Sequence, residues 1–128
     1  MALVQPAAIA ACVVLAGLAV FQAILVAGAP LGRYAWGGQH QVLPRNLRIG
    51  SAVSIVLYAL FGYVALGKAG IVAPLGGMAF TSVAMWVLTG YFALGVVMNA
   101  ISRSKPERLV MTPVALLLAL LYFTVAAG

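Results

Sequence analysis

Carboxylates are almost missing from this sequence. Its 128 residues include no aspartate and a single glutamate, Glu107, together with one histidine, His40, and one cysteine, Cys12. A Ser-His-Asp triad is therefore excluded within the chain. An intrachain disulfide and a metal site built from His, Cys and carboxylate ligands are excluded as well. We expect no catalytic residue, no metal and no cofactor, and we interpret the protein as non-enzymatic.

Charge of either sign is also scarce. Charged residues make up 6% of the chain and hydrophobic residues 66%, whereas a soluble domain has about 25% charged and about 45–50% apolar residues. So few polar side chains cannot cover a surface exposed to water, and the sequence therefore predicts a single integral membrane domain over residues 1–128. The net charge of +6 is concentrated at the ends of apolar runs, a pattern that favours contact with lipid phosphates over nucleic-acid binding.

Four long apolar runs predict an all-α fold, a compact bundle of four transmembrane helices over residues 6–27, 44–66, 78–101 and 105–127. A run of about 20 residues crosses a hydrocarbon core of about 30 Å at about 1.5 Å per residue. Ala27-Gly28-Ala29 resembles a signal-peptide cleavage site. No basic residue precedes that run and the run is long for a signal peptide, so we expect a retained helix.

The start of the fourth helix has a recognisable local pattern. Ser104 and Glu107 have the spacing of a capping box, in which the serine hydroxyl and the glutamate carboxylate satisfy amides of the first helical turn. We therefore interpret Glu107 as a structural residue. Pro113 lacks an amide donor, which predicts either a kink one turn later or a helix that begins afresh at Thr112.

The distribution of basic residues predicts the orientation in the membrane. Positively charged loops stay on the cytoplasmic side, and six of the seven basic residues follow the first or the third helix, against one, Lys68, after the second. Both termini are therefore expected outside, with the loop at 30–43 cytoplasmic. The six basic residues that follow the first or the third helix are Arg33, Arg45, Arg48, Arg103, Lys105 and Arg108.

No ionisable residue falls within an apolar run, which argues against proton- or sodium-coupled transport.

The best candidate site is the polar loop at 30–43 with the helix that follows it. Its arginines, histidine and glutamines offer donors to an anionic group, its tryptophan suits the headgroup level, and three hydroxyl residues of the second helix fall on one face. We predict that it binds an anionic lipid or a small amphipathic anion. A loop that only anchors the protein to phospholipid remains an alternative. The predicted ligand-binding residues are Arg33, Trp36, Gln39, His40, Arg45, Arg48, Ser51, Ser54 and Tyr58.

Two other functions are compatible with the sequence. The hydroxyl-bearing faces of the second and third helices would line a passive channel or uniporter formed by an oligomer. Alternatively, the protein is an accessory or scaffold subunit of a larger membrane complex. Four short spans with many small residues bury little surface alone, so we expect a homo-oligomer or a larger complex in any case.

Two segments resemble a known group of proteins. GAPLGRYAWGGQHQVLPRNLRIGSAV and NAISRSKPERLVMTP are similar to segments of small four-span bacterial membrane proteins of unknown function. The resemblance implies a multi-pass protein of the bacterial cytoplasmic (inner) membrane. It implies no activity, substrate or catalytic residue.

Overall fold

The computed structural model describes residues 3–128 and consists of four long helices. They are α1 (Val4–Val26), α2 (Arg45–Lys68), α3 (Met78–Ala100) and α4 (Lys105–Ala127). The predicted all-α four-helix bundle is confirmed, and the predicted helix limits differ from the observed ones by at most two residues. α4 continues unbroken through Pro113, so a helix beginning afresh at Thr112 is wrong.

All four helices are long and apolar enough to cross a membrane. Each has 23 or 24 residues, and at about 1.5 Å per residue such a helix is about 35 Å long. Their outward faces are apolar too, since Val56, Val83 and Leu94 are each at least 60% exposed. A surface of this kind is suited to contact with lipid hydrocarbon.

The bundle is formed by two helical hairpins, α1–α2 and α3–α4, each packed closely along its length. α1 also packs on α4, and α2 packs less extensively on α3. The small residues Ala7, Ala8 and Ala11 of α1 are buried in the common core, where they allow helix backbones to approach each other.

An aromatic cluster ties three helices together at the centre of the bundle. The ring of Phe92 lies 6.0 Å from that of Phe61 and 4.8 Å from that of Tyr122, measured between centroids. The Tyr122 hydroxyl donates to the Phe61 carbonyl oxygen over 2.7 Å. This hydrogen bond joins α4 to α2 across the bundle, in a region where water is absent and a polar group needs a protein partner.

Candidate functional site

The segment between α1 and α2 is an ordered structure, which we call loop 1–2 (residues 27–44). It contains two 3₁₀ turns, Gly32–Tyr34 and Trp36–Gly38, and it closes on itself because the Gly32 amide donates to the Gln41 carbonyl oxygen over 2.8 Å. A Cβ atom at Gly32 would lie only 2.0 Å from the His40 carbonyl oxygen. Glycine at this position is therefore a steric requirement of the closed loop.

Trp36 folds back from loop 1–2 onto α2. Its backbone φ of +53° is the only positive value at a non-glycine residue within 3–128, a conformation that costs on the order of 1–3 kcal/mol. The indole Nε1 donates to the Ser51 hydroxyl over 3.1 Å, and the ring lies so close to Gly50 that a Cβ there would be 2.8 Å from it. Gly50 and Ser51 thus form the seat of the indole ring.

Loop 1–2 is also fastened to the start of α4. The Gly37 amide donates to Glu107 Oε2 over 3.3 Å, and the Ser104 hydroxyl donates to the Arg33 carbonyl oxygen. We call these two hydrogen bonds the interloop clasp. They bring the loops after α1 and after α3 to the same end of the bundle.

The predicted capping box is wrong, because the interloop clasp engages both of its side chains. Ser104 is the N-cap residue of α4, but its side chain makes no capping hydrogen bond. Glu107 accepts from the Gly37 amide and from the Ser102 hydroxyl and is buried, at 7% exposure. Both side chains are engaged by partners outside the first helical turn, because the backbone of loop 1–2 offers an amide and a carbonyl at this place.

A cavity of about 490 Å³ lies beneath loop 1–2, inside the half of the bundle that this loop covers. Its depth is apolar and ends against Phe92 of the aromatic cluster. α2 contributes only Tyr58 to the wall, so the cavity opens sideways between α2 and α3. The lining residues are Leu18, Phe21, Gln22, Tyr34, Ala35, Trp36, Tyr58, Tyr91, Phe92, Leu94, Gly95, Met98, Asn99, Glu107, Met111, Val114, Ala115 and Leu118.

The lateral opening faces the surroundings of the bundle. Tyr91, Leu94 and Met98 line the cavity and are 53–60% exposed, so they form its rim. Three rim side chains spaced along one side of α3 would contact lipid directly if the bundle spans a membrane. A molecule can therefore reach the cavity from the side of the bundle without crossing loop 1–2.

The polar side chains that line the cavity include Gln22, Asn99 and Glu107, together with the tyrosines Tyr34, Tyr58 and Tyr91. Gln22 is buried at 8% exposure and faces the Tyr58 hydroxyl. Its Oε1 has no hydrogen-bond partner within the described part of the chain. Asn99 Nδ2 donates to the Gly95 carbonyl oxygen over 2.8 Å. The cavity is thus apolar over most of its surface and polar at the end near loop 1–2, which is the usual composition of a ligand pocket.

Three of the predicted site residues belong to this structure. Trp36 and Tyr58 line the cavity, and Ser51 holds Trp36 in place. The predicted Ser54 does not join them, because its hydroxyl donates to the Gly50 carbonyl oxygen one turn earlier in the same helix.

The basic members of the predicted site are divided between surface and interior. The side chains exposed on loop 1–2 and at the start of α2 are those of Arg33, Gln39, His40 and Arg45. Arg48 is half-buried, its guanidinium lies against Gly28, and its Nε donates to the Leu43 carbonyl oxygen over 2.9 Å. Arg48 therefore holds loop 1–2 together, a role that the sequence-based interpretation missed.

Gln22, Asn99 and Glu107 are absent from the predicted set although all three line the cavity. For Gln22 a signal existed, since a strongly polar residue inside an apolar span is costly unless it has a function or a partner. Asn99 carries the same signal near the end of α3. Glu107 offered none, because its capping-box spacing already explained a carboxylate at that position.

Within residues 3–128 no three His, Cys, Asp or Glu side chains lie close enough together to hold a metal ion. Searches against protein-family models, curated proteins and solved structures find no match for this chain.

Proposed function

We propose that this protein is a non-enzymatic, multi-pass membrane protein that binds an amphipathic molecule with an anionic group. The alkyl part of the ligand would occupy the cavity beneath loop 1–2, and its anionic group would meet the exposed arginines of that loop. The observation that carries the proposal is the shape of the cavity, which is apolar in depth, polar at one end and open to the side. Its volume of about 490 Å³ falls within the range of roughly 300–1,000 Å³ typical of ligand pockets.

The distribution of charge supports an anionic group at this end. The interloop clasp joins the loops that carry or adjoin six of the seven basic residues, and Arg33 and Arg45 are exposed there. Each basic residue near an anionic surface contributes about 1 kcal/mol of attraction. Arg33 also lies over Tyr34, with its Cζ 5.0 Å from the ring centroid, which holds a cation beside an aromatic group of the cavity wall.

The same asymmetry supports the proposed membrane orientation. By the positive-inside rule, the end with six cations faces the cytoplasm and both termini face outward. Together with the resemblance of the two segments, this favours the bacterial cytoplasmic (inner) membrane. The ligand class available there in abundance is phospholipid.

The channel alternative draws less support from the geometry. The hydroxyls of Ser54, Thr81 and Thr89 donate to carbonyl oxygens of Gly50, Leu75 and Met85. Their hydrogens are thus committed within their own chain, which leaves only the oxygen lone pairs for a permeating species. An accessory role in a larger complex, or a homo-oligomer, is compatible with lipid binding and is read out by the same experiment.

Native mass spectrometry of gently solubilised protein tests the proposal, because it gives the bound lipid and the number of protomers together. We expect co-purified phospholipid on the unmodified protein and a clear loss of it in the double variant Arg33→Gln, Arg45→Gln. Lys68→Gln, which removes a cation from the opposite end of the bundle, is the matched control and should retain the lipid. Equal retention in the double variant and the control contradicts the proposal.

A further inference from the structure

The cavity beneath loop 1–2 extends along about half of the bundle. Leu18 and Phe92, near its deep end, each lie eight residues before the last residue of their helix. On α4 the wall continues to Leu118, thirteen residues after the first residue of that helix. At about 1.5 Å per residue these positions are about 12–20 Å from the end of the bundle that carries loop 1–2. This depth is close to one leaflet of a hydrocarbon core that is about 30 Å thick.

The floor of the cavity is an aromatic ring with little freedom to move. Phe92 is 6% exposed, and the centroid of its ring lies 4.8 Å from that of Tyr122 and 6.0 Å from that of Phe61. The Tyr122 hydroxyl is itself bonded to the Phe61 carbonyl oxygen. The ring of Phe92 cannot turn aside without disturbing the packing of three helices, so it limits how far an alkyl chain can extend into the cavity.

The cavity has room for one alkyl chain. A methylene group occupies about the volume of a water molecule in the liquid, roughly 30 Å³, so 490 Å³ corresponds to about 16 carbons. An extended chain with carbon–carbon bonds of about 1.5 Å advances about 1.25 Å per carbon, so a depth of about 12–20 Å corresponds to about 10–16 carbons. The two estimates agree for a single chain. A second chain of that length would need about twice the volume.

The lateral opening allows such a chain to enter while the head of the molecule stays outside. The rim follows α3 from Tyr91 to Met98, and Met98 lies two residues before the last residue of that helix. The opening therefore reaches the level of loop 1–2, where Arg33 and Arg45 are exposed. A lipid whose chain points toward Phe92 leaves the cavity at this level, so its headgroup lies beside the loop and not beneath it.

We propose that the cavity encloses one alkyl chain and that Phe92 sets the longest chain it can enclose. The ligand class is an anionic amphiphile with a single chain, or a diacyl phospholipid whose other chain stays in the bilayer along the rim. Carbons beyond the limit emerge between α2 and α3 into surroundings as apolar as the membrane they left, so they add nothing to binding. This inference rests on the proposed function, because it takes the alkyl part of the ligand to occupy the cavity.

Monoacyl phosphatidylglycerols with saturated chains of eight to twenty-two carbons measure the limit. The protein is kept in a steroid-based detergent, which has no linear alkyl chain to compete, and bound lipid is counted by native mass spectrometry. Each added carbon should tighten binding by up to about threefold while it fills cavity volume, and beyond about 16 carbons the affinity should level off. Diacyl phosphatidylglycerols should reach the same limit per chain, since only one of their chains is enclosed.

Two substitutions should move the limit in opposite directions. Phe92→Ala removes from the floor a ring of roughly three methylene volumes, so the limit should lengthen by about three carbons. Gly95→Leu adds a side chain of four carbons to the wall, so the limit should shorten by about four carbons. Phe123→Ala is the matched control, because the Phe123 ring is 51% exposed and lies outside the cavity, and it should leave the limit unchanged. If Phe92→Ala fails to fold, Gly95→Leu decides.

The failures of the two proposals are distinguishable. Affinity that rises through the whole series or does not depend on chain length, or an unchanged limit in a folded variant of Phe92 or Gly95, overturns the chain limit and leaves the proposed function standing. A diacyl limit at about half the monoacyl length would mean that two chains are enclosed, which overturns the one-chain cavity alone. Absence of any bound phospholipid overturns both proposals.

Discussion

The indole Nε1 of Trp36 donates a hydrogen bond to the hydroxyl of Ser51, over 3.1 Å. This contact fixes the side chain of the one non-glycine residue with a positive φ among those described. It also sets the position of loop 1–2 over the cavity, because Trp36 belongs both to the loop and to the cavity wall. The integrity of the site therefore depends on a hydroxyl buried in α2.

Replacing Ser51 by alanine should loosen Trp36 and destabilise the fold. The indole donor would lose its partner, the fully buried Ser51 hydroxyl, and the loss of such a hydrogen bond costs about 0.5–1.5 kcal/mol. In a Trp86→Phe background Trp36 is the sole tryptophan, so its emission should shift to longer wavelength and the melting temperature in detergent should fall. Ser54→Ala, whose hydroxyl bonds only within α2, is the control and should change neither.

Replacing Gly50 by alanine should displace the same ring by steric contact. The added Cβ would lie 2.8 Å from the Trp36 ring, and overpacking of this kind costs about 1–3 kcal/mol. Gly90→Ala in α3 meets no atom within 4 Å and should be neutral or stabilising by about 0.5–1 kcal/mol, the usual gain within a helix. The melting temperatures of both variants are measured in one detergent. Equal values would contradict the proposed contact between Trp36 and Gly50.

Filling the cavity should exclude the alkyl chain. Gly95 lies in the cavity wall, so the side chain introduced by Gly95→Leu would occupy part of the volume, and co-purified lipid should drop. Gly90→Leu places the same side chain on the same helix where nothing lies within 4 Å, and it should keep the lipid. The measurement is bound phosphorus per protomer. Loss of lipid in both variants would point to a general effect of the substitution and not to the cavity.

Replacing Arg45 or Arg48 by glutamine should have different effects on stability and on lipid retention. Arg48 donates to the Leu43 carbonyl oxygen, a hydrogen bond from a charged group and worth about 1.5–3 kcal/mol, so Arg48→Gln should lower the melting temperature. Arg45 is exposed, so its replacement should weaken lipid retention and leave stability nearly unchanged. Equal stability of the two variants would show that Arg48 does not hold loop 1–2.

Cysteine labelling should report the orientation of the bundle. With Cys12 replaced by alanine, Gln39→Cys on exposed loop 1–2 should be unreactive toward an impermeant maleimide on intact cells and reactive in inverted vesicles. Ala73→Cys, exposed between α2 and α3, should behave in the opposite way. Labelling of Gln39→Cys from outside would invert the topology and remove the cytoplasmic setting of the site.

The fold could be predicted from the sequence because it follows from coarse physical quantities. Apolar runs of membrane-spanning length leave few alternatives to helices, and glycines and prolines mark where the runs end. The composition alone thus determined the class of structure. The predicted bounds of α1 and α2 differ from the observed ones by at most two residues, which is the usual uncertainty at helix ends.

The site could be predicted only in part, because it is formed by contacts between distant segments. Trp36 was expected at the headgroup level, but its ring lies on Gly50 and Ser51. No local sequence pattern indicates this contact. Glu107 fits a helix-start pattern, yet its carboxylate accepts a hydrogen bond from the Gly37 amide of loop 1–2, seventy residues away in the sequence. The cavity itself depends on how far α2 lies from α3, which the hydrophobic pattern of a helix buried in lipid does not encode.

The interloop clasp has a consequence for biosynthesis. Arg33 and Ser104 are separated by 71 residues and Gly37 and Glu107 by 70, so the ribosome completes loop 1–2 long before either partner exists. The α1–α2 hairpin is therefore made with loop 1–2 unattached, and the interloop clasp can form only once the start of α4 has been made. Resistance of loop 1–2 to protease should therefore be acquired only after α4 has been synthesised.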